Sequence, residues 1–402
     1  MKHTPLEKAT ILFAGDSGDG MQLTGFQFST TSAIHGNDLS TFPDFPAEIR
    51  APAGTVSGVS GFKINFGSVE VYTPGGKADT LVAMNAAALV KNLDELKDRG
   101  VIIANLNGFD KRNYKLADLN TERDLLQEAR DKGYEVIEVE ITRLTREALK
   151  DSALGNRDRD RAKNMFTLGL VYWMYNRDIQ HSIDFIEKRF HKKPDVRDAN
   201  LTVLKAGYNY GETAEIFTNR YQVDPAKLPA GSYRNVMGNE ALAIGLVAAS
   251  AKSGLNLFYA GYPITPASDI LHELAQHKNF GVRTFQAEDE IAAVTSAIGA
   301  AFGGTLAATA SSGPGIALKA EGIGLAIMLE LPLVIINVQR GGPSTGLPTK
   351  TEQSDLLQAM YGRNGEAPIP VLACSSPKDA FATAYEACRI AIEHMTPVFV
   401  LS

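Results

Sequence analysis

Short apolar runs alternate with stretches of helical spacing along most of the chain, the texture of an open α/β sheet. In the first half TILFAG reads as a strand and MQLTGFQFSTTSAIHG as a helix. VSGFKINFG and VEVYT read as paired strands joined by the turn-prone Gly67-Ser68. LVAMNAAALVKNLDELKDRG follows as a helix ended by Gly100, then the strand VIIANL, the strand YEVIEVEI and the helices KNMFTLGLVYWMYN and SIDFIEKRF. Around residue 195 the texture changes. HKKPDVRD, a helical stretch near LTVLKAGYNYGETAEIFTNRY and the proline-bearing VDPAKLPAGSYRN read as a tether. The second half is more regular. Helix NEALAIGLVAASAKSG, strand LNLFYA, helix ASDILHELAQHK, strand VRTFQA, helix EIAAVTSAIGAAFGG, strand TLAATA, helix IALKAEGIGLAIML and strand PLVIINV succeed one another. A long loop, another strand and helix, and the strand TPVFVLS complete the chain, and Ser402 fits the end of a domain as well as that of a polypeptide. The expected domains are 1–195, a linker with a helical segment at 196–235, and 236–402.

A length of 402 residues with 44% hydrophobic content suits two or three domains with real cores. A net charge of −6 argues against nucleic acid as a partner, because a surface that tracks phosphates needs a basic excess. The N-terminus lacks a signal-type apolar core, and no run approaches the ~18 uncharged residues of a membrane span, so a cytoplasmic protein is expected. Cys374 and Cys388 are far apart, with no CxxC or Cys/His grouping. They read as buried reduced thiols, and this chain by itself can ligate neither a four-cysteine cluster nor a structural zinc. No metal ligands are assigned to it. The charged run Gly155 to Arg161 reads as a solvated helix start.

In open parallel sheets ligands bind beyond the carboxyl ends of strands, where loops and helix N-termini converge. Four chemically loaded loops of the second domain fall at such ends: Tyr262-Pro263-Ile264-Thr265-Pro266, Glu288-Asp289-Glu290, Ser311-Ser312-Gly313-Pro314-Gly315, and the loop from Gln339 through Arg340, Ser344 and Thr345 to Gly346. Glu290 alone fits a dipole-favoured first-turn acid. Ala292, Ser296, Gly299 and Gly303, which follow it on one helical face, would let a backbone or a flat ring approach. The GPG turn fits a strand-to-helix connection, the two prolines of YPITP stiffen the backbone that presents Thr265, and a guanidinium such as that of Arg340 suits a carboxylate.

The spacing from Glu290 to Gly299 resembles the aminopyrimidine-binding domain of thiamine diphosphate enzymes. GDSGDG, PDFPAEIRAPAG, GYPITPAS, EDEIAAVTSAIGAA, SSGPG and QRGGPSTGLPTKTEQSD together resemble the fused gamma-alpha subunit of 2-oxoacid:ferredoxin oxidoreductases, especially the 2-oxoglutarate type. The resemblance covers nearly the whole chain, although longer members continue into a further domain. It implies an α/β fold: a gamma-type open domain, then a pyrimidine-binding domain with a mainly parallel, doubly wound sheet. It also implies CoA-dependent oxidative decarboxylation of a 2-oxo acid with reduction of ferredoxin, reversible as the carboxylation used in carbon dioxide fixation and a reductive TCA cycle. Glu290 would be catalytic, bonding N1′ of the cofactor's pyrimidine. Tyr262, Pro263, Ile264, Ser312, Gly313 and Pro314 would contact the cofactor, and Thr265, Arg340, Ser344 and Thr345 the substrate. Mg2+, the cofactor's diphosphate and a four-iron four-sulfur cluster would sit on a separate beta subunit, in an (alpha-beta)2 heterotetramer. Pyruvate or branched 2-oxo acids remain open as substrates, as does a noncatalytic dinucleotide-binding or scaffold subunit.

GDSGDG raises both a thiamine and a dinucleotide reading of its own. The thiamine phosphate motif needs an asparagine roughly 25 to 30 residues after its GDG to complete a magnesium site. From Gly20 that window is Phe45-Pro-Ala-Glu-Ile-Arg50, which has none. The dinucleotide fingerprint fails where Ser17 stands for its second glycine. The loop therefore reads as a glycine-rich strand-to-helix turn.

Overall fold

A computed structural model describes residues 2–46, 52–217 and 219–402. Residues 47–51 of the PDFPAEIRAPAG stretch, and with them part of the window just named, lie outside the described residues. The chain divides into two compact units, Met1–Tyr233 and Arg234–Ser402.

The first unit opens with β1 (Lys2–Pro5), β2 (Lys8–Asp16), α1 (Met21–Ile34), β3 (Asp38–Asp44), β4 (Val59–Gly67), β5 (Ala78–Ala83), α2 (Ala86–Asn92) and β6 (Leu96–Asn105). It goes on through α3 (Lys111–Leu116), α4 (Leu125–Asp131), β7 (Glu135–Val139), α5 (Ile141–Ala148), α6 (Asn156–Arg161), α7 (Lys163–Met174), α8 (Gln180–Arg189), α9 (Pro194–Thr213) and β8 (Asn219–Gln222). Its sheet runs β3-β4-β2-β5-β6-β7, with β2, β5, β6 and β7 parallel and β4 antiparallel to both β2 and β3. One face is packed by the aromatics Phe13, Phe28, Phe66, Tyr172 and Tyr175, and the other by the alanine-rich α2 with Leu81 and Ile102.

Three readings of this half change. VEVYT forms no strand: Val69 and Tyr72 face solvent, and β4 finds its partners in β2 and β3. The helix expected over 81–100 is confined to 86–92, where Asn85 caps it by accepting from the Ala88 N–H. Its flanks Leu81–Ala83 and Leu96–Gly100 lie in strands: Leu81–Ala83 is paired on one side with Leu12–Ala14 and on the other with Ile102–Ala104, and Leu96 is paired with Ala78. Finally, α9 lies in the stretch assigned to the tether. It packs Val203 and Leu204 into the first core, and its Gly207 touches the Phe166 backbone of α7 so closely that a Cβ would fall 2.1 Å from the Phe166 carbonyl oxygen. The first unit thereby extends to Tyr233.

The second unit comprises α10 (Gly238–Ser253), β9 (Leu257–Gly261), α11 (Ser268–Leu274), β10 (Arg283–Gln286), α12 (Glu290–Phe302), β11 (Leu306–Ser311) and α13 (Gly313–Met328). It ends with β12 (Leu333–Asn337), α14 (Leu356–Tyr361), β13 (Val371–Ala373), α15 (Pro377–His394) and β14 (Pro397–Leu401). Its strands are all parallel, in the order β10-β9-β11-β12-β14-β13. Parallel strands buried on both faces read as continuous apolar runs, as in LVIIN and PVFVL. α10, α11 and α15 cover one face, and α12 and α13 the other. From β9 the chain winds outward to β10 and then returns to β11 on the opposite side. The crevice between β9 and β11 is therefore a topological switch point, where such sheets bind ligands.

Candidate functional site

The loops after β9, β10, β11 and β12 meet at the carboxyl edge of this sheet, as their placement at strand ends predicts. The Thr265 carbonyl is the knot between three of them. It accepts from Arg340 Nη1 at 2.8 Å and from Ser312 Oγ at 3.3 Å, and the same Ser312 hydroxyl donates to the Val338 carbonyl at 2.7 Å. Arg340 Nη2 donates to the Thr345 carbonyl at 2.9 Å, while its Nε is buried without a partner. Burial pushes the Arg340 pKa down, against the pull of Glu290. Arg340 thus acts within this chain as a buried strut between the YPITP loop and the 340–346 loop. The Thr265, Ser344 and Thr345 side chains are left exposed, as are Tyr262 and Pro263, while Ile264 is half-buried against the core.

The 340–355 segment is folded back on itself. Gly341 and Leu347 form an isolated antiparallel bridge. Gly346 has φ +58°, and a Cβ there would lie 1.8 Å from the Gly341 carbonyl oxygen, so only glycine closes the turn. The far end is held by Asp355, whose carboxylate accepts from Asn337 Nδ2 at 2.9 Å and whose N–H donates to Gln339 Oε1 at 3.1 Å.

Glu290 is the first residue of α12, whose start is capped by Asp289 accepting from the Ala292 N–H at 2.7 Å. Its side chain is largely buried beside the first turn of α13. A Cβ on Gly315 would fall 2.9 Å from Glu290 Oε1 and 2.0 Å from Ser311 Oγ, so the GPG glycine makes room for the carboxyl group. Among the described residues the Glu290 carboxylate takes no hydrogen bond, and the Ser311 hydroxyl is a buried orphan. Beneath Glu290 lies Lys319, fully buried, whose Nζ donates to the Glu290 backbone carbonyl at 3.2 Å and to Thr309 Oγ1 at 2.9 Å. Burial lowers its pKa to about 8, with Glu290 and Asp289 opposing the fall.

Of the residues singled out from the sequence, Thr265, Ser312, Arg340 and Thr345 are joined by these hydrogen bonds, while Glu290 stands beside Ser311 and Gly315 at the start of α13. Lys319, Asn337 and Asp355 are additions. Lys319 had a legible signal: Ile316, Lys319, Ile323 and Ala326 share one helical stripe, and the lysine is the charged member of it. The small-residue face of α12 proves less telling. At Gly322 of α13 the contact is made by Val294 and Ile298, whereas a Cβ on Gly299 would meet open space.

GDSGDG is a strand-to-helix turn. Asp19 accepts from the Asp16 N–H at 3.0 Å through one oxygen and pairs with Lys163 Nζ at 2.8 Å through the other, so its carboxylate is satisfied by the chain itself. α6, within the charged run 155–161, is solvated and internally paired through Arg161 and Asp158. Cys374 is half-buried and Cys388 buried, both free, and burial raises their pKa values to about 11 and about 12. Among the described residues no cluster of three or more His, Cys, Asp or Glu could hold a metal, and no helix is long and apolar enough to cross a membrane.

Comparison with known proteins bears on both units. Residues 10–210 match the family described as "Pyruvate ferredoxin/flavodoxin oxidoreductase", and residues 249–402 the one described as "Pyruvate flavodoxin/ferredoxin oxidoreductase, thiamine diP-bdg". A curated relative, 2-oxoglutarate oxidoreductase subunit KorA of Mycobacterium tuberculosis, is 55% identical over 99% of this chain and 60% of its own length. The alpha subunit of 2-oxoacid:ferredoxin oxidoreductase 1 from Aeropyrum pernix is 31% identical over 81% of this chain and 54% of its own. Among solved structures, the 2-oxoglutarate:ferredoxin oxidoreductase of Magnetococcus marinus, with 2-oxoglutarate, coenzyme A and succinyl-CoA bound, superposes with a TM-score of 0.82 at 30% identity, over 99% of this chain and 64% of that one. The chain therefore spans less than two thirds of the length of each of these relatives.

Proposed function

The chain belongs to the pyruvate ferredoxin/flavodoxin oxidoreductase family, the 2-oxoacid:ferredoxin oxidoreductases, and from that premise we propose that it is the gamma-alpha subunit of a CoA-dependent enzyme that oxidatively decarboxylates 2-oxoglutarate to succinyl-CoA and reduces ferredoxin. The observation that carries the reading is the Glu290 carboxylate, sheltered at the switch point of a parallel sheet and, among the described residues, without a hydrogen bond. The names of the KorA relative and of the superposed structure support 2-oxoglutarate as the substrate.

The residues present fit thiamine diphosphate. An unspent carboxylate beside an orphan hydroxyl and a glycine turn is what a nitrogen-bearing flat ring requires. When bound, the cofactor supplies a nucleophilic carbon that makes loss of carbon dioxide from a 2-oxo acid possible. Glu290 holds and moves the proton at N1′ of its pyrimidine ring, an acid–base step that needs a carboxylate within hydrogen-bond reach. Tyr262, Pro263, Ile264, Ser312, Gly313 and Pro314 form the wall against that ring. Thr265, Ser344 and Thr345 present exposed hydroxyls to the substrate, and Arg340 holds their two loops in register while its remaining donors favour the substrate's carboxylate. A beta subunit supplies the Mg2+ and diphosphate site and the four-iron four-sulfur cluster, and the complex works in the cytoplasm as an (alpha-beta)2 assembly.

The test is reconstitution. Coexpressed with its beta partner, the chain should give a complex that reduces ferredoxin with 2-oxoglutarate and CoA in preference to pyruvate or branched 2-oxo acids. Full activity of a Glu290→Gln complex would remove the catalytic assignment whatever the substrate.

A further inference from the structure

Lys319 is a charged residue in a place where charge is expensive. It stands on the buried stripe of α13 with no exposed surface and, among the described residues, forms no ion pair. Its two partners are neutral oxygens, the Glu290 carbonyl and the Thr309 hydroxyl. Two such bonds recover only part of the several kcal/mol lost when an ammonium leaves water, so a methionine or leucine would fill the space at lower cost. What the ammonium adds, and an apolar side chain cannot, is a positive charge under the first turn of α12, on the side away from the crevice. The charged groups bearing on this spot are Glu290 and Asp289 at the start of α12, and Arg340 from the loop after β12, which bears on Glu290. The third packed element, β11, contributes the neutral Thr309.

We propose that Lys319 is a positioning residue for Glu290: its buried ammonium pins the peptide that carries the glutamate and, as a positive charge behind it, holds the carboxylate aimed into the crevice. The proposal rests on the reading of Glu290 as the group that serves the pyrimidine ring. Two features strengthen it. The tether is to the backbone of Glu290 itself, so movement of Nζ moves the glutamate's Cα. The burial that lowers the Lys319 pKa is resisted by Glu290 and Asp289, so the lysine and these carboxylates are electrostatically linked.

The experiment uses the assembled complex in three forms: wild type, Lys319→Met, which keeps the volume and removes the charge, and Thr309→Val, which removes one acceptor and leaves the lysine. The readouts are the pH profile of kcat/KM for the 2-oxo acid, the dissociation constant of thiamine diphosphate by calorimetry on cofactor-stripped complex, and the thermal midpoint. In Lys319→Met the ascending acidic limb should move upward by about one pH unit, since a carboxylate that loses a neighbouring cation ionises less readily. Cofactor binding should weaken roughly tenfold, with KM for the oxo acid changed less than threefold. Thr309→Val should move both readouts in the same direction and by less. A lower thermal midpoint with an unmoved acidic limb and unchanged cofactor binding would reduce Lys319 to a core residue and overturn the proposal. If Lys319→Met does not assemble, an unmoved limb in Thr309→Val overturns it as well. Glu290→Gln run in parallel separates the two readings: retained activity there sinks the role of Glu290, whereas its loss beside an unmoved Lys319→Met profile sinks this inference alone.

Discussion

The proposed role of Glu290 makes two demands, enough burial to exclude water and enough freedom to exchange a proton, and among the described residues no group donates to its carboxylate. Glu290→Gln keeps the shape and removes the acid–base function, so turnover of the reconstituted complex should fall by about 10²- to 10⁴-fold, the range of general acid–base contributions, with little change in thermal midpoint. Gly315 is the complementary test. A methyl group there would fall 2.0 Å from Ser311 Oγ and 2.9 Å from Glu290, so Gly315→Ala must displace one or both. A loss of about 1–3 kcal/mol in stability is expected from such overpacking, together with weakened cofactor binding in calorimetry. Lys319 adds a pH signature. Its folded pKa of about 8 lies below the ordinary 10.5, so the unfolded chain binds more protons between these values. The burden of the buried charge is complete below pH 8 and is relieved as pH rises toward 10.5, so this group makes stability increase over that window. Denaturation of wild type and Lys319→Met across pH 7–10.5 should show that the variant lacks this rise.

The loops at the sheet edge behave as a unit because their ties are backbone carbonyls, and one side chain, Arg340, serves two of them. Arg340→Leu would leave the Thr265 and Thr345 carbonyls short of donors, at about 1–3 kcal/mol for each group that stays buried. The expected outcome is a raised KM for the 2-oxo acid and faster proteolytic nicking within 341–355; an unchanged KM would remove Arg340 from the substrate reading. This tie was only half legible in the sequence. A guanidinium after an apolar strand, among prolines and glycines, marks a site. Whether it faces a ligand or a neighbouring loop depends on contacts across 75 positions, which no local pattern carries. The same division runs through the fold. The second unit could be read strand by strand, because its central parallel strands are continuous apolar runs and α12 and α15 begin at side-chain caps, Asp289 and Ser376. In the first unit β3 (DLSTFPD) has no alternation to announce it, and it is a strand because β4 offers it an edge. The helical segment expected in the tether is α9, and its place in the first core is hidden by flanks rich in charge, proline and glycine, although its Gly207 and Gly211 are the points where the Phe166 backbone and Trp173 pack against it.

For the whole molecule, what calls for explanation is apolar surface left in solvent. Ile291, Thr295, Gly299 and Phe302 follow one another at helical spacing on the outer face of α12, as Leu318, Leu325 and Met328 do on α13, and Phe302 and Met328 are 74% and 81% exposed. Phe285 on the edge strand β10 is also open. Ile291 adjoins Glu290 at the start of α12 and Phe302 lies at its far end, about 18 Å away at 1.5 Å per residue, so a chain that covers the whole stripe also reaches the proposed cofactor site. On the proposed reading, in which a beta subunit holds the diphosphate and cluster sites, that subunit is the partner expected on this face, and such a contact is stabilised mainly by a few large apolar anchors. The double substitution Phe302→Glu, Met328→Glu touches no residue of the proposed site and removes no core packing. In pull-down with a tagged beta subunit it should lower the recovered complex by at least about tenfold, since burying two unpaired carboxylates is costly. The circular dichroism and thermal midpoint of the isolated chain should stay as in the wild type. Recovery of the complex at wild-type yield would mean that the beta subunit docks elsewhere and that this face meets solvent or another copy of the chain. The substrate assay then becomes the deciding measurement, because activity with an uncovered α12–α13 face would require the diphosphate to be delivered from another side of the crevice.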